Sequence, residues 1–175
     1  MKKLILTAVA AVFAMGVSNA QDDSNGGPTS EGKWLVEANT GNAVLGSTGI
    51  YFSSIDGEST YNVGLDGGYF IKDDLAIKAG LGYGGGSEDF DRSVVSYRIG
   101  AKYYVKSMIP VTLDYTGASV EDLDENPSYL GLGAGYAWFV SDTVSIEPGV
   151  RYNYSLNDDF YDNQFQLNVG FALHF

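Results

Sequence analysis

The feature that most constrains the fold of this chain is an alternation of apolar and polar residues with a period of two. Over residues 165–175 every odd position is aliphatic or aromatic, while most even positions are polar or small. Successive side chains of a β-strand point to opposite faces, so this pattern predicts a strand with one apolar face and one polar face. The same split recurs over residues 75–84 and 95–104.

Eight strands are predicted from this periodicity and from the turn residues that interrupt it. They cover residues 33–41, 59–71, 75–85, 94–105, 109–117, 128–140, 144–155 and 163–175. Three connections are tight, at Lys72-Asp73-Asp74, Lys106-Ser107-Met108 and Ser141-Asp142-Thr143. Four are longer, at residues 42–58, 86–93, 118–127 and 156–162.

Short and long connections alternate along the chain, as they do in outer-membrane barrels with short periplasmic turns and longer outside loops. The predicted fold is therefore all-β, an eight-stranded antiparallel up-and-down transmembrane β-barrel over residues 33–175. A ninth strand at residues 47–55 would put the chain ends on opposite sides of the membrane. That segment is predicted to be a loop, or an extension of strands one and two beyond the bilayer.

Away from the strand ends, the charged residues of the predicted strands all fall on the polar face. They are four acids and four bases: Glu37, Asp66, Lys78, Arg98, Lys102, Asp114, Glu147 and Arg151. The interiors of the opposite faces carry no charge, which suits hydrocarbon. Because the inside of an eight-stranded barrel is just filled by side chains, the sequence predicts a lumen of paired charges and an exterior that contacts lipid.

The first 20 residues have the pattern of a cleaved secretory signal peptide. Lys2 and Lys3 precede a 12-residue apolar run, and Ser18-Asn19-Ala20 offers small residues for cleavage. The run is shorter than the roughly 20 residues of a spanning helix. Residues 21–32 lack aliphatic and aromatic side chains and are predicted to form a flexible periplasmic lead.

Aromatic residues near the strand ends predict two interfacial girdles. The predicted girdle residues are Trp34, Tyr61, Tyr69, Tyr83, Tyr103, Tyr115, Trp138 and Tyr154. Pro148 lies within a predicted strand and lacks an N–H group, so a local irregularity is expected there. Phe70, Tyr129 and Phe139 fall on the polar face near strand ends, where they would close the lumen or mark a register shift.

The segment GGYFIKDDLAIK (67–78) and the last strand ending at Phe175 resemble the small eight-stranded barrels of the OmpA and OmpX type. They are more closely similar to the outer-membrane β-barrel domains of the Bacteroidetes. The resemblance implies location in the outer membrane of a Gram-negative bacterium. It also implies that Phe165, Phe171 and Phe175 form an assembly signal, with the barrel-assembly machinery and periplasmic chaperones as partners.

Motifs for other chemistry are weak. Gly80, Gly82 and Gly85 match GxGxxG, but the acidic loop that follows has no helical period, so no phosphate site is expected. Asp122, Asp124 and Asn126 have the first spacings of an EF-hand, yet Pro127 replaces the required glycine. An EF-hand is excluded, and only weak Ca²⁺ or Mg²⁺ binding at the acidic loops stays open.

The negative net charge of the chain argues against a nucleic-acid partner bound by electrostatic attraction. The formal charge is −12, and removal of residues 1–20 takes away two lysines and makes it −14. Such a chain repels polyanions, so no nucleic-acid partner is expected. Catalysis and cofactors are not expected either, because the only histidine, His174, lies one residue from the end on the lumen face.

The predicted function is that of a non-enzymatic outer-membrane barrel that contributes to envelope integrity and surface interaction. Loops 42–58 and 118–127 are the expected contact surfaces, with lipid and lipopolysaccharide as the surrounding partners. Two alternatives stay open at the level of sequence. One is a narrow porin-like passage for water, ions or very small solutes, and the other is a surface adhesin.

Overall fold

The computed structural model describes residues 26–40, 49–55, 58–86, 93–123 and 125–175. The predicted signal peptide and residues 21–25 of the lead lie outside these ranges. The described regular structure consists of ten strands. They are β1 (Trp34–Asn39), β2 (Ile50–Ile55), β3 (Glu58–Lys72), β4 (Leu75–Gly86), β5 (Val94–Val105), β6 (Ile109–Val120), β7 (Ser128–Gly135), β8 (Trp138–Ser141), β9 (Val144–Ser155) and β10 (Gln164–His174).

The ten strands occupy eight positions around a closed antiparallel barrel. From β3 to β6 each strand pairs with the next one in sequence, β9 lies between β7 and β10, and β1 closes the ring between β10 and β3. β1 and β2 share one position, since both pair with β3, and β7 and β8 share another beside β9. The predicted eight-stranded up-and-down barrel is confirmed.

Strand β2 lies in a segment for which the sequence left a choice between a loop and an extension of the first two strands. β1 pairs with β3 through Glu37 opposite Asp66, and β2 pairs farther along β3 through Ile50 opposite Val63. An isolated bridge joins Thr40 to Ile50. β2 therefore continues the β1 position toward the loop side and adds no ninth position.

The predicted irregularity near Pro148 lies in the neighbouring strand. β9 is continuous through Pro148, but β7 ends at Gly135 and β8 begins at Trp138. The register is the same on both sides of the break, because Gly135 faces Gly149 and Trp138 faces Ile146. Tyr136 N–H still donates to Pro148 O at 3.0 Å.

Burial alternates along the strands and is inverted relative to a soluble barrel. In β4 the inward residues from Ala76 to Gly84 are buried, while the outward Ile77 and Leu81 are exposed. The main apolar cluster of buried residues lies inside the barrel near the tight turns, around Leu35 and Phe70. Within the described ranges, no helix is long and apolar enough to cross a membrane.

The end of the lead is folded, which differs from the flexible segment that the sequence predicts. Residues 28–32 lie against the tight-turn side of the barrel, and Thr29 is buried. Gly32 N–H donates to Phe70 O at 2.9 Å, and Asp74 N–H donates to Thr29 O at 2.8 Å. These bonds are made mainly by the backbone, so the polar composition of the segment did not reveal them.

Candidate functional site in the barrel lumen

All eight charged residues predicted for the lumen lie inside the barrel. Each is at most 6% exposed, although each carries a full charge in its ordinary state. Burying a charge is costly unless it is paired and hydrogen-bonded. The lumen is therefore stable only if these groups neutralise one another. In the structure they form a single spatial series in which acids and bases alternate.

The half of this series that lies near the tight turns begins at Glu147 on β9. Its carboxylate contacts Lys102 Nζ in a short ion pair. Lys102 Nζ also lies 2.6 Å from Glu37 Oε2, and the same oxygen lies 3.1 Å from Lys78 Nζ. Each acid in this half thus has a cation beside it, and Lys102 on β5 reaches across the lumen to contact acids of both β9 and β1.

The half nearer the loops continues from Lys78, whose Nζ lies 3.1 Å from Asp66 Oδ2. Arg98 Nη1 donates to the same oxygen at 2.9 Å, and Arg98 Nε lies 3.7 Å from Asp114 Oδ1. Arg151 completes the series by donating two hydrogen bonds to the Asp114 carboxylate, of 2.7 Å and 2.5 Å. We call these eight linked residues the charge ladder.

Neutral side chains donate further hydrogen bonds to three of the four ladder acids. Asn39 Nδ2 donates to Glu37 Oε1 at 2.7 Å, and Thr116 Oγ1 donates to Asp114 Oδ1 at 2.8 Å. Glu147 Oε1 accepts from Tyr104 Oη and from Ser145 Oγ, both at 2.8 Å. The sequence analysis did not identify these groups as ladder partners.

Glycine residues on intervening strands provide the space that the ladder needs. Asp114 on β6 and Arg151 on β9 meet across β7, where Gly131 lies between them. A Cβ atom on Gly131 would overlap the Arg151 guanidinium, and one on Gly80 would overlap the Asp66 carboxylate. Gly80 belongs to the GxGxxG pattern, and it lines the lumen.

The lumen is closed by rings near the tight turns. Phe70 and Tyr104 are fully buried there, with ring centroids 6.0 Å apart. The His174 ring packs against both of them, and its centroid lies 5.3 Å from the centroid of the Phe139 ring. We call these four residues the aromatic layer. Because His174 is completely buried in this layer, it does not meet solvent or a substrate in this conformation.

Amide and hydroxyl groups line the lumen on the loop side of the ladder. Asn62, Ser96 and Asn153 are buried there, and each has a polar side-chain atom without a hydrogen-bond partner among the described residues. A cavity with about 50 Å³ of space for the centres of water molecules lies beside the ladder and is lined by residues of β1, β4, β5, β6, β7, β9 and β10. That volume fits a few water molecules.

The exterior has the opposite character. Large apolar side chains are exposed along the strands, including Leu132, Ile99 and Leu167 at 57%, 59% and 77%. Along the described strands, exposed charged residues occur only at the two ends of β3, at Glu58 and Lys72. In water such a surface would aggregate, whereas in a bilayer it meets lipid.

The eight predicted girdle aromatics lie on this exterior. Seven are at least 38% exposed, and Tyr83 is half-buried. The rings pair across strands at both levels: Trp34 and Tyr69 lie 5.1 Å apart on the turn side, and Tyr61 and Tyr83 lie 6.4 Å apart on the loop side. Phe165 and Phe171 of the predicted assembly signal also face outward, and Phe175 is half-buried.

No protein-family model and no curated protein matches this chain. Solved structures of similar architecture include the N-terminal β-barrel domain of Pseudomonas aeruginosa OprF, with 15% identity, coverage of 83% of this chain and 98% of that one, and a TM-score of 0.48. Neisserial surface protein A has 19% identity, 82% and 96% coverage, and a TM-score of 0.48. The Yersinia pestis outer membrane protein Ail has 14% identity, 83% and 100% coverage, and a TM-score of 0.48.

The chain is a transmembrane β-barrel. Its own closed strand order, apolar exterior and charged interior carry that conclusion. The closed ring of eight antiparallel strand positions is the fold that the predicted resemblance to small eight-stranded outer-membrane barrels implies.

The loops provide less defined chemistry. Of the weak metal candidates, Asp122 is exposed, Asn126 Oδ1 accepts a bond from Val120 N–H at 2.8 Å, and Asp124 lies outside the described residues. In the part of the chain that is described, no three His, Cys, Asp or Glu side chains are grouped to hold a metal ion. Much of loop 42–58 also lies outside the described ranges.

Proposed function

We propose that this protein is a non-enzymatic structural barrel of the outer membrane of a Gram-negative bacterium. It contributes to envelope integrity and presents acidic loops for surface interaction. The observation that carries this proposal is the contrast between an apolar exterior and a lumen filled by the charge ladder and the aromatic layer. That arrangement supports a stable membrane element better than a passage for solutes.

The filled lumen favours low conductance for a physical reason. An ion that crosses must separate paired, buried charges, and removing one partner of such a pair strands the other at a cost of several kcal/mol. It must then pass the aromatic layer, where Phe70, Tyr104 and His174 are all fully buried. Both barriers lie along the same axis, so opening one of them alone does not create a pore.

The test is single-channel recording of the refolded protein in planar bilayers. We expect no stable conductance above the bare bilayer in samples whose folded state is verified by heat-dependent gel mobility. A second measurement locates the protein after cell fractionation, where it should appear with the outer membrane. Recovery as a folded, detergent-free protein in the soluble periplasmic fraction would contradict the whole proposal.

A narrow passage for water or very small solutes is a second candidate function, favoured by the cavity beside the ladder. The cavity is lined by seven of the eight ladder residues and by the neutral polar groups of Asn39, Thr40, Gln166 and Asn168, a polar lining that water can wet. Stable openings in the same recordings, or rapid water flux through vesicles containing the protein, would establish this function in place of the structural one.

A role in surface interaction is supported by hydrogen bonds that join two of the loops. Tyr161 Oη donates to Glu125 O at 2.7 Å, and Asn157 Nδ2 donates to Glu125 Oε2 at 3.2 Å. The described parts of the two acidic loops, residues 125–126 and 157–162, are therefore joined into one surface. We propose that it binds lipopolysaccharide phosphates through shared Ca²⁺ or Mg²⁺, or acts as an adhesin.

The two uses of the loop surface are separable. Lipopolysaccharide vesicles should bind the barrel in millimolar Mg²⁺ and release it on chelation, and Asp158→Asn with Asp159→Asn should weaken that binding. Binding that ignores chelation would argue against shared cations. Cell attachment that depends on the loops but not on Mg²⁺ would support the adhesin.

A further inference from the structure

The segment before β1 crosses the mouth of the barrel on the tight-turn side. Thr29 Oγ1 donates to Asp74 Oδ1 at 2.6 Å, and Asp74 N–H donates back to Thr29 O at 2.8 Å. Glu31 N–H donates to Asp73 Oδ1 at 2.9 Å. These reciprocal bonds attach the segment to the turn between β3 and β4.

The same segment is joined to β3 by the backbone. Gly32 N–H donates to Phe70 O, and Phe70 N–H donates to Lys33 O, both at 2.9 Å. Phe70 is also a member of the aromatic layer, and it is fully buried. The segment therefore lies directly over the closed end of the lumen.

The third attachment reaches the other end of the chain. His174 Nδ1 donates to Pro28 O at 3.1 Å, and its Nε2 lies 3.1 Å from Ser145 Oγ on β9. His174 is the penultimate residue and the last residue of β10. One fully buried ring thus links the segment before the first strand to the wall formed by the last two.

These attachments surround the joint that closes the barrel. Trp34 N–H donates to Phe175 O at 2.6 Å, and Phe175 N–H donates to Trp34 O at 3.0 Å. Because β1 and β10 are the first and last strands, their pairing completes the ring. Pro28 reaches His174 only when that pairing is in place.

We propose that residues 28–33 form a latch that locks the completed barrel. The latch engages after β10 has paired with β1, and it must release before the joint between them opens. Its role is to slow opening of the barrel from the periplasmic side. This role does not depend on whether the loops bind lipopolysaccharide or the lumen passes water.

Trypsin cleavage after Lys33 measures release of the latch directly. Lys33 O is bonded to Phe70 N–H, so the protease acts only on molecules in which the segment has opened locally. In refolded protein in detergent micelles, we expect cleavage at Lys33 to be at least a hundredfold slower than in the denatured chain. Lys106, in the exposed β5–β6 turn, is the comparison site outside the latch.

Thr29→Val removes the hydroxyl that binds Asp74 and preserves the shape of the side chain. It should speed cleavage at Lys33 about fivefold, and His174→Leu, which removes two contacts, should speed it about tenfold or more. Lys106 should be cleaved at the wild-type rate in the Thr29 variant. Thr143→Val, a hydroxyl removal in another turn on the same side, is the matched control and should change neither rate.

The unfolding rate in hot detergent provides a measurement without protease. The Thr29 variant should lose its compact gel mobility several times faster than the Thr143 control. The latch is refuted if Lys33 is cut in the wild-type barrel as fast as in the denatured chain. It is equally refuted if Thr29→Val and Thr143→Val behave alike in both measurements, even where His174→Leu fails to fold.

Discussion

The two ends of the lumen are built differently. On the tight-turn side the aromatic layer fills the barrel, and residues 28–33 cover it. On the loop side, Asn62, Ser96 and Asn153 carry buried polar atoms for which the described residues offer no partner. Buried polar groups of that kind are normally met by water. The turn side is therefore sealed by protein, whereas the loop side is suited to hydration.

The charge ladder connects these two ends, and cutting it gives the largest expected effect. Arg151→Ala removes the guanidinium that forms a bidentate ion pair with Asp114, and Arg98→Ala removes an ion-pair partner of Asp66. Each should destabilise the folded barrel by about 3–5 kcal/mol. Urea unfolding followed by the fluorescence of Trp34 and Trp138 measures this change.

The control for the ladder is Arg92→Ala, at an arginine that the sequence places in a loop. Its effect should stay within about 0.5 kcal/mol, as for most surface substitutions. Equal losses for Arg92, Arg98 and Arg151 would mean that the ladder contributes nothing special to stability.

Truncation of apolar side chains compares the two ends directly. Phe70→Ala removes a fully buried ring from the aromatic layer and should cost about 3–5 kcal/mol. Val94→Ala, in the small apolar cluster of β5 and β6 on the loop side, should cost about 1–2 kcal/mol. The same urea titration ranks the two variants. A larger loss for Val94 would reverse the assignment of the sealed end.

Removal of single hydroxyl groups gives the smallest expected changes in stability, and it compares one side chain from each end of the lumen. Tyr104→Phe deletes the bond to Glu147 Oε1 and should cost about 1–3 kcal/mol, because the acceptor is charged and buried. Ser96→Ala deletes a hydroxyl without a described partner and should change stability by less than about 0.5 kcal/mol. If Ser96→Ala proves as costly as Tyr104→Phe, the loop side is as tightly bonded as the turn side.

Much of the architecture was predictable because strand periodicity is a local property of sequence. The predicted bounds of β5 and β9 agree with the structure, and residues 144–155 keep alternate burial throughout. β2 was harder to predict. Its residues, IYFSSI, lack a clear alternation, and its strand structure follows from pairing with β3.

Within the lumen, membership of the ladder followed from the sequence but its connections did not. Glu37 and Asp66 are direct neighbours in register and have the same sign, so the pairing of adjacent strands would suggest repulsion. Lys78 lies between them from the next strand and contacts both. Such contacts depend on side chains that reach across an intervening strand, which register alone does not describe.

By itself, the sequence determined which residues face lipid and which face the lumen, because an alternating strand in a bilayer has only one stable orientation. The tertiary structure decided the order of charges in the ladder, the collinear placement of β1 and β2, and the bonds of residues 28–33. Those features bring together groups far apart in the chain, such as Pro28 and His174. Their geometry exists only after the barrel has closed.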